Sequence, residues 1–118
     1  MQGGAVHGLG NALMEEAVYD EESGQLLSGT LMDYALPRAE DVPDLRIETI
    51  ATPSPNNFLG FKGAGELPTN GAPAAIANAV LDALRPFGVR HLDMPLSPHR
   101  IWQTLQTSIA ASTPRAPA

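Results

Sequence analysis

Apolar positions Ala5, Val6, Leu9, Leu13 and Ala17 recur at three- and four-residue intervals, which predicts a helix over residues 4–17. Gly3, Gly4, Gly8 and Gly10 crowd its opening turns. A glycine inside a helix costs about 1 kcal/mol relative to alanine, so packing must hold this one. Asp20-Glu21-Glu22-Ser23-Gly24 reads as a hairpin turn with glycine at the left-handed position. Residues 26–34 then fit a strand, and Pro37 and Pro43 bracket an acidic loop. Leu45, Ile47 and Thr49 alternate with Arg46 and Glu48, the pattern of a half-buried strand ending near residue 51. Ile76, Ala79, Val80, Ala83 and Leu84 form one face of a second helix, stopped near Pro86 and Gly88, with a further strand after it. Ser97 followed by Pro98 supplies a cap and a first position for a third helix running to about residue 106. Residues 110–118, rich in Ala, Ser, Thr and Pro, read as a flexible tail. The pattern predicts an α+β fold, helices packed on a small mixed or antiparallel sheet, in one domain over residues 1–109.

The candidate chemistry sits between the second strand and the second helix. Lys62-Gly63-Ala64-Gly65-Glu66 places one carboxylate in a loop that runs directly into an apolar helix. Gly63 and Gly65 allow positive φ or close backbone approach to a ligand. Pro68 and Pro73 stiffen the other flank by fixing φ. Charges on loops are usually solvated, so the alternative to a positioned base is an incidental surface acid. The glycine cluster of the first helix could admit a phosphate at a helix N-terminus. It lacks the Lys-Ser/Thr ending of a phosphate-binding loop, and close helix packing explains the glycines equally well.

The residues 62–80, with Lys-Gly-Ala-Gly-Glu followed by Gly71-Ala72-Pro73-Ala74-Ala75-Ile76-Ala77-Asn78-Ala79, resemble a known pattern. It is found in the molybdopterin-binding large subunit of the xanthine dehydrogenase, aldehyde oxidase and aerobic carbon monoxide dehydrogenase family, towards its C-terminal end. Three further blocks are similar to that family, in the same order. Residues 3–16 resemble its glycine-rich helix ending in two acids, and residues 29–39 its next strand and turn. Residues 89–98 with Trp102 resemble its closing strand and helix, nearest to the carbon monoxide dehydrogenase-like branch. The resemblance extends to about Gln106. It implies the C-terminal portion of a molybdenum-binding domain, truncated at its N-terminal side.

What the resemblance implies chemically is specific. Glu66 would be the general base that takes a proton from the attacking hydroxyl, in an enzyme oxidising a C–H centre (an aldehyde or N-heterocycle) or carbon monoxide with water as oxygen donor. Gly3, Gly4, Lys62, Gly63, Ala64 and Gly65 would line the molybdenum-molybdopterin cofactor, in its cytosine dinucleotide form. Partners would be the remainder of the large subunit, and iron–sulfur and FAD subunits or domains. A non-catalytic binding or assembly module, or a split-subunit fragment active only with a complementing chain, stands as the alternative. The family normally has Gly-Gln before the first block; Gln2 falls where it often has Glu, so this residue is not credited with the glutamine contact.

Composition narrows the classes. Net charge −6 with no Lys/Arg cluster gives no footprint for nucleic acid. Hydrophobic residues make up 43% of the chain, which argues against disorder. The absence of cysteine excludes disulfides, iron–sulfur ligation and thiol catalysis within these 118 residues. No apolar run reaches the ~20 residues of a membrane span and no signal-peptide pattern opens the chain, so a cytoplasmic location is expected. His7, His91 and His99 are not spaced as a zinc set, and in the resembled family the pterin sulfurs hold the molybdenum. Glu15 and Glu16 read as helix-end acids, Lys62 by itself as a solvated or ion-paired residue, and Trp102 as a packing anchor.

Overall fold

The computed structural model describes residues 1–112. Three α-helices organise them: α1 over Gln2–Leu13, α2 over Leu67–Leu84 and α3 over Pro98–Ser112. One-turn 3-10 helices cover Ala39–Asp41 and Arg85–Phe87.

The principal tertiary contact is α1 against α2. It is built on missing side chains. A Cβ added at Gly8 would lie 2.6 Å from Ala72 Cβ and 2.9 Å from Pro73 Cδ. Gly10 is closed off in the same way by Pro37, whose Cγ would be 2.7 Å from an added Cβ. The glycines that weaken α1 intrinsically therefore let α2 and the following chain approach its backbone. Pro73 cannot donate a backbone bond inside α2, and its ring fills the space over Gly8 instead. α2 stops where expected. The chain tightens into the 3-10 turn and leaves through Gly88 at φ 80°, a left-handed exit suited to glycine.

α3 begins as predicted. Pro98 is its first residue, and Ser97 Oγ accepts a hydrogen bond from the Arg100 amide at 3.3 Å. Replacing Ser97 by alanine should lower stability by about 1 kcal/mol, read as a shift of the urea midpoint. The helix continues past residue 106 to Ser112, so residues 110–112 are helical rather than tail. The rest of the expected tail, 113–118, lies outside the described residues. α1 conversely ends at Leu13, four residues before the expected 17, where the Met14 and Glu15 amides both turn back to the Gly10 carbonyl.

The sheet is where the structure departs from the sequence pattern. Among the described residues there is no β-strand, only an isolated antiparallel bridge between Tyr19 and Leu26. That bridge closes the hairpin turn, with Gly24 at φ 70°. Beyond it the segment 26–34 turns away. The Ser28 hydroxyl accepts from the Val18 amide at 2.9 Å, and the Asp33 and Tyr34 amides fold back on the Thr30 carbonyl. Residues 45–51 have no partner strand, and Ile50 is 91% exposed. Alternation tells which face of a strand is apolar, but a strand is stabilised by a neighbouring ladder, and these segments have none here.

Packing is correspondingly thin. Ala12, Leu84, Val89 and Leu96 are the buried apolar residues, with Leu96 tied to α1 by its amide bonding the Ala12 carbonyl at 2.6 Å. Met32 and Phe58 are 93% and 95% exposed. The radius of gyration is 19.4 Å, against about 13.5 Å for a compact chain of this length.

Candidate functional site

Glu66 occupies the position just before α2, at φ −92° and ψ −7°, with an exposed side chain that makes no capping bond. Its backbone is anchored more firmly than its carboxylate. The Glu66 carbonyl accepts from the Thr69 amide at 3.0 Å and the Asn70 amide at 3.3 Å, so the residue is part of the first turn of α2. α1 lies directly beneath. The Gly65 carbonyl is 3.1 Å from where a Gly4 Cβ would stand, and the Thr69 hydroxyl donates to the Gly4 carbonyl at 3.2 Å. The structure thus brings the start of α1 and the loop of residues 62–66 together.

Of the two roles expected for Gly63 and Gly65, positive φ or close backbone approach to a ligand, the first is absent. Positive φ occurs at Gly24, Gly60 and Gly88, not at Gly63 or Gly65. A Cβ added at Gly3, Gly63 or Gly65 would meet nothing within 4 Å. Ala64 is exposed as well. Gly4 differs from these, since the side it leaves bare is turned to α2. Lys62 is exposed, its Nζ 3.1 Å from Thr52 Oγ1. Residues 3, 63 and 65 therefore leave bare backbone exposed, the last beside the Glu66 carboxylate.

The entry to this loop is fixed by residues that sequence reasoning passed over. The Asn57 side chain accepts from the Phe61 amide at 2.8 Å and donates to the Phe61 carbonyl at 3.0 Å. Gly60, at φ 69°, sits against Pro53, and its carbonyl accepts from the Ser54 amide at 3.0 Å. Pro53-Ser-Pro-Asn-Asn57 followed by Gly60 is the turn-forming composition that could have signalled it.

The remaining candidates resolve into local contacts. Glu15 Oε2 accepts from the Tyr34 hydroxyl at 2.7 Å, which fastens the segment after Thr30 to the end of α1. That bond, together with burial and the negative charge of Glu15, raises the Tyr34 phenol above its ordinary value. A group raised on folding contributes stability below its unfolded value and loses it as pH climbs through the folded one. Stability should therefore fall on the alkaline side, and Tyr34→Phe should flatten that dependence in denaturation series run across pH. Glu16 pairs with Arg100 at 3.8 Å. His91 contacts Asp93 at 3.0 Å. Trp102 is not a packing anchor within the chain: it is 57% exposed and stacks on His99 with ring centroids 6.2 Å apart. Among the described residues no three His, Asp or Glu side chains converge as a metal site.

The family description "Molybdopterin cofactor-binding domain" matches residues 1–43. The carbon monoxide dehydrogenase large chain of Hydrogenophaga pseudoflava is 39% identical over 106 residues, 90% of this chain and 13% of that one. The xanthine dehydrogenase molybdenum-binding subunit of Escherichia coli O157:H7 is 36% identical over 87% of this chain and 13% of its own length. The crystal structure of quinoline 2-oxidoreductase from Pseudomonas putida 86 superposes with a TM-score of 0.81 at 45% identity, covering 88% of this chain and 13% of that one. The chain belongs to this family of molybdenum-binding large subunits. The resemblance carried by the four sequence blocks is borne out. The chain spans about 13% of the length of these curated relatives, which are molybdopterin-dependent oxidoreductases named as large chains or subunits. No helix among the described residues is long and apolar enough to cross a membrane.

Proposed function

We propose that this chain forms one wall of the active site of a molybdenum hydroxylase large subunit, with Glu66 as its general base. The observation that carries the reading is the convergence of the α1 N-terminus with the loop of residues 62–66, which presents bare glycine backbone beside a single carboxylate. Gly3 and Gly4 at the start of α1 would hold the molybdopterin cofactor, in its cytosine dinucleotide form, together with Lys62, Gly63, Ala64 and Gly65. Helix-start amides have no intrahelical partner and favour anionic groups such as a dinucleotide phosphate. When bound, the cofactor supplies two-electron oxidation with water as the source of oxygen. Glu66 then accepts the proton released as the water-derived hydroxyl attacks the substrate carbon. The anchored backbone of Glu66 fixes the point from which its side chain reaches, and the open glycines let substrate and cofactor approach it.

The substrate class is a C–H centre of an aldehyde or N-heterocycle, or carbon monoxide. Electrons leave through iron–sulfur and FAD partners. The exposed apolar side chains, Leu31, Met32, Ile50, Phe58 and Phe61 among them, are the surface that meets the remainder of the large subunit. Large apolar side chains left in water in such number fit a contact waiting for its partner. In the split-subunit form of this reading, the remainder is a separate, complementing polypeptide. The chain alone should elute in size-exclusion chromatography as associated species and show no turnover. Joined to the remainder, it should give a single well-defined assembly with oxidase activity on aldehydes, N-heterocycles or carbon monoxide. A monodisperse, monomeric chain indifferent to that partner would contradict the proposal.

A further inference from the structure

We propose that the seam between α1 and α2 is the device that positions Glu66, with Thr69 and Gly4 as its positioning residues. The inference rests on reading Glu66 as the base. Gly4 and Gly8 are four residues apart on one face of α1, and both bare faces are covered by α2: Gly4 by Pro68 and Thr69, Gly8 by Ala72 and Pro73. Small residues at that spacing let two helix backbones approach closely enough for a short side chain to bond across. Thr69 makes such a bond, its hydroxyl donating to the Gly4 carbonyl at 3.2 Å. Thr69 is also the residue whose amide closes the first turn of α2 on the Glu66 carbonyl at 3.0 Å. One residue thus ties α1 to the backbone of Glu66 from both its side chain and its main chain. Gly4 completes the arrangement from below, because the Gly65 carbonyl occupies the space next to its absent Cβ at 3.1 Å.

The consequence is that Glu66 takes its position from the helix seam and not from the flexible glycines beside it. A Cβ added at Gly63 or Gly65 would meet nothing within 4 Å and neither has a left-handed φ, so the bareness of these two glycines does not hold the carboxylate in place. Loss of the seam bond should let the first turn of α2 drift, and a misplacement of about 1 Å at a reacting group costs roughly 100-fold in rate.

The test uses the large-subunit assembly that contains this chain, with Thr69→Val, Thr69→Ser and Glu66→Gln compared at equal molybdenum content. Thr69→Val keeps the shape and removes the hydroxyl. It should lower kcat by about 10- to 100-fold with KM little changed, and hydrogen exchange at the Thr69 and Asn70 amides should quicken several-fold. Thr69→Ser restores the donor and should return both readouts towards wild type. Unchanged exchange in Thr69→Val, or losses that Thr69→Ser does not rescue, would overturn the proposal. Full turnover in Glu66→Gln would instead remove the base assignment, and with it the catalytic meaning of the seam, even where the exchange pattern holds.

Discussion

Replacing Glu66 by glutamine in the assembled enzyme should lower turnover by about 10²–10⁴-fold, the usual contribution of a positioned general base. Glutamine keeps the size of the side chain and much of its hydrogen-bonding capacity but cannot accept the proton. The mutation should spare the fold. The Glu66 side chain is exposed and makes no capping bond, and the bonds that anchor the residue come from its backbone carbonyl. Molybdenum content should accordingly stay level. Glu48→Gln is the matched control. Glu48 pairs with Arg46 at 2.8 Å on an exposed segment, and such surface changes stay within about 0.5 kcal/mol. Steady-state kinetics at equal molybdenum loading distinguish the two.

The second large effect is on stability. Gly8→Val should destabilise the chain by at least ~1–3 kcal/mol, the cost of overpacking a closely fitted contact. The added Cβ alone would stand 2.6 Å from Ala72 Cβ and 2.9 Å from Pro73 Cδ. Neither neighbour is the end of a flexible side chain, so the helices must part. Gly71→Ala provides the contrast. Nothing lies within 4 Å of an added Cβ there, and alanine in a helix is better than glycine by about 0.5–1 kcal/mol. Urea denaturation followed by helical circular dichroism, at one fixed low chain concentration, should move the midpoint down for Gly8→Val and up for Gly71→Ala. Equal midpoints for Gly8→Val and wild type would show that the α1–α2 seam is loose.

What the sequence disclosed were the features decided locally. Ser97-Pro98 announced the start of α3, Gly88 the exit from α2, and Gly24 the tip of the hairpin, because each depends on backbone preferences within a few residues. The strand segments failed for the opposite reason. Residues 45–51 have the alternation of a half-buried strand, but the ladder that would make them one is not supplied by the described residues. The chain's apolar content argued against disorder, yet many of its large apolar side chains lie on the surface.

The site shows the same division. The Lys62–Glu66 motif was legible, and so was the family, since several ordered blocks carry more information than any one of them. The roles of individual glycines were not. By sequence, Gly63 and Gly65 allow positive φ or close approach to a ligand, yet they have no positive φ; within the chain, Gly8 and Gly10 are the glycines with no room for a side chain, and Gly4 has little. Whether a glycine faces a neighbour or open space depends on how helices cross, which spacing along one chain does not encode. Thr69 was missed for that reason too, because its partner Gly4 lies on another helix.

Molybdenum and pterin analysis gives the most direct test of the central claim that this chain is one wall of a molybdenum site. Ligand sites bury most of their ligand's surface, and a single open wall cannot do so. The purified chain should hold no molybdenum, and a stable complex with the remainder of the large subunit should hold it stoichiometrically. Stoichiometric molybdenum on the chain alone, or a stable complex that never acquires any, would contradict the account.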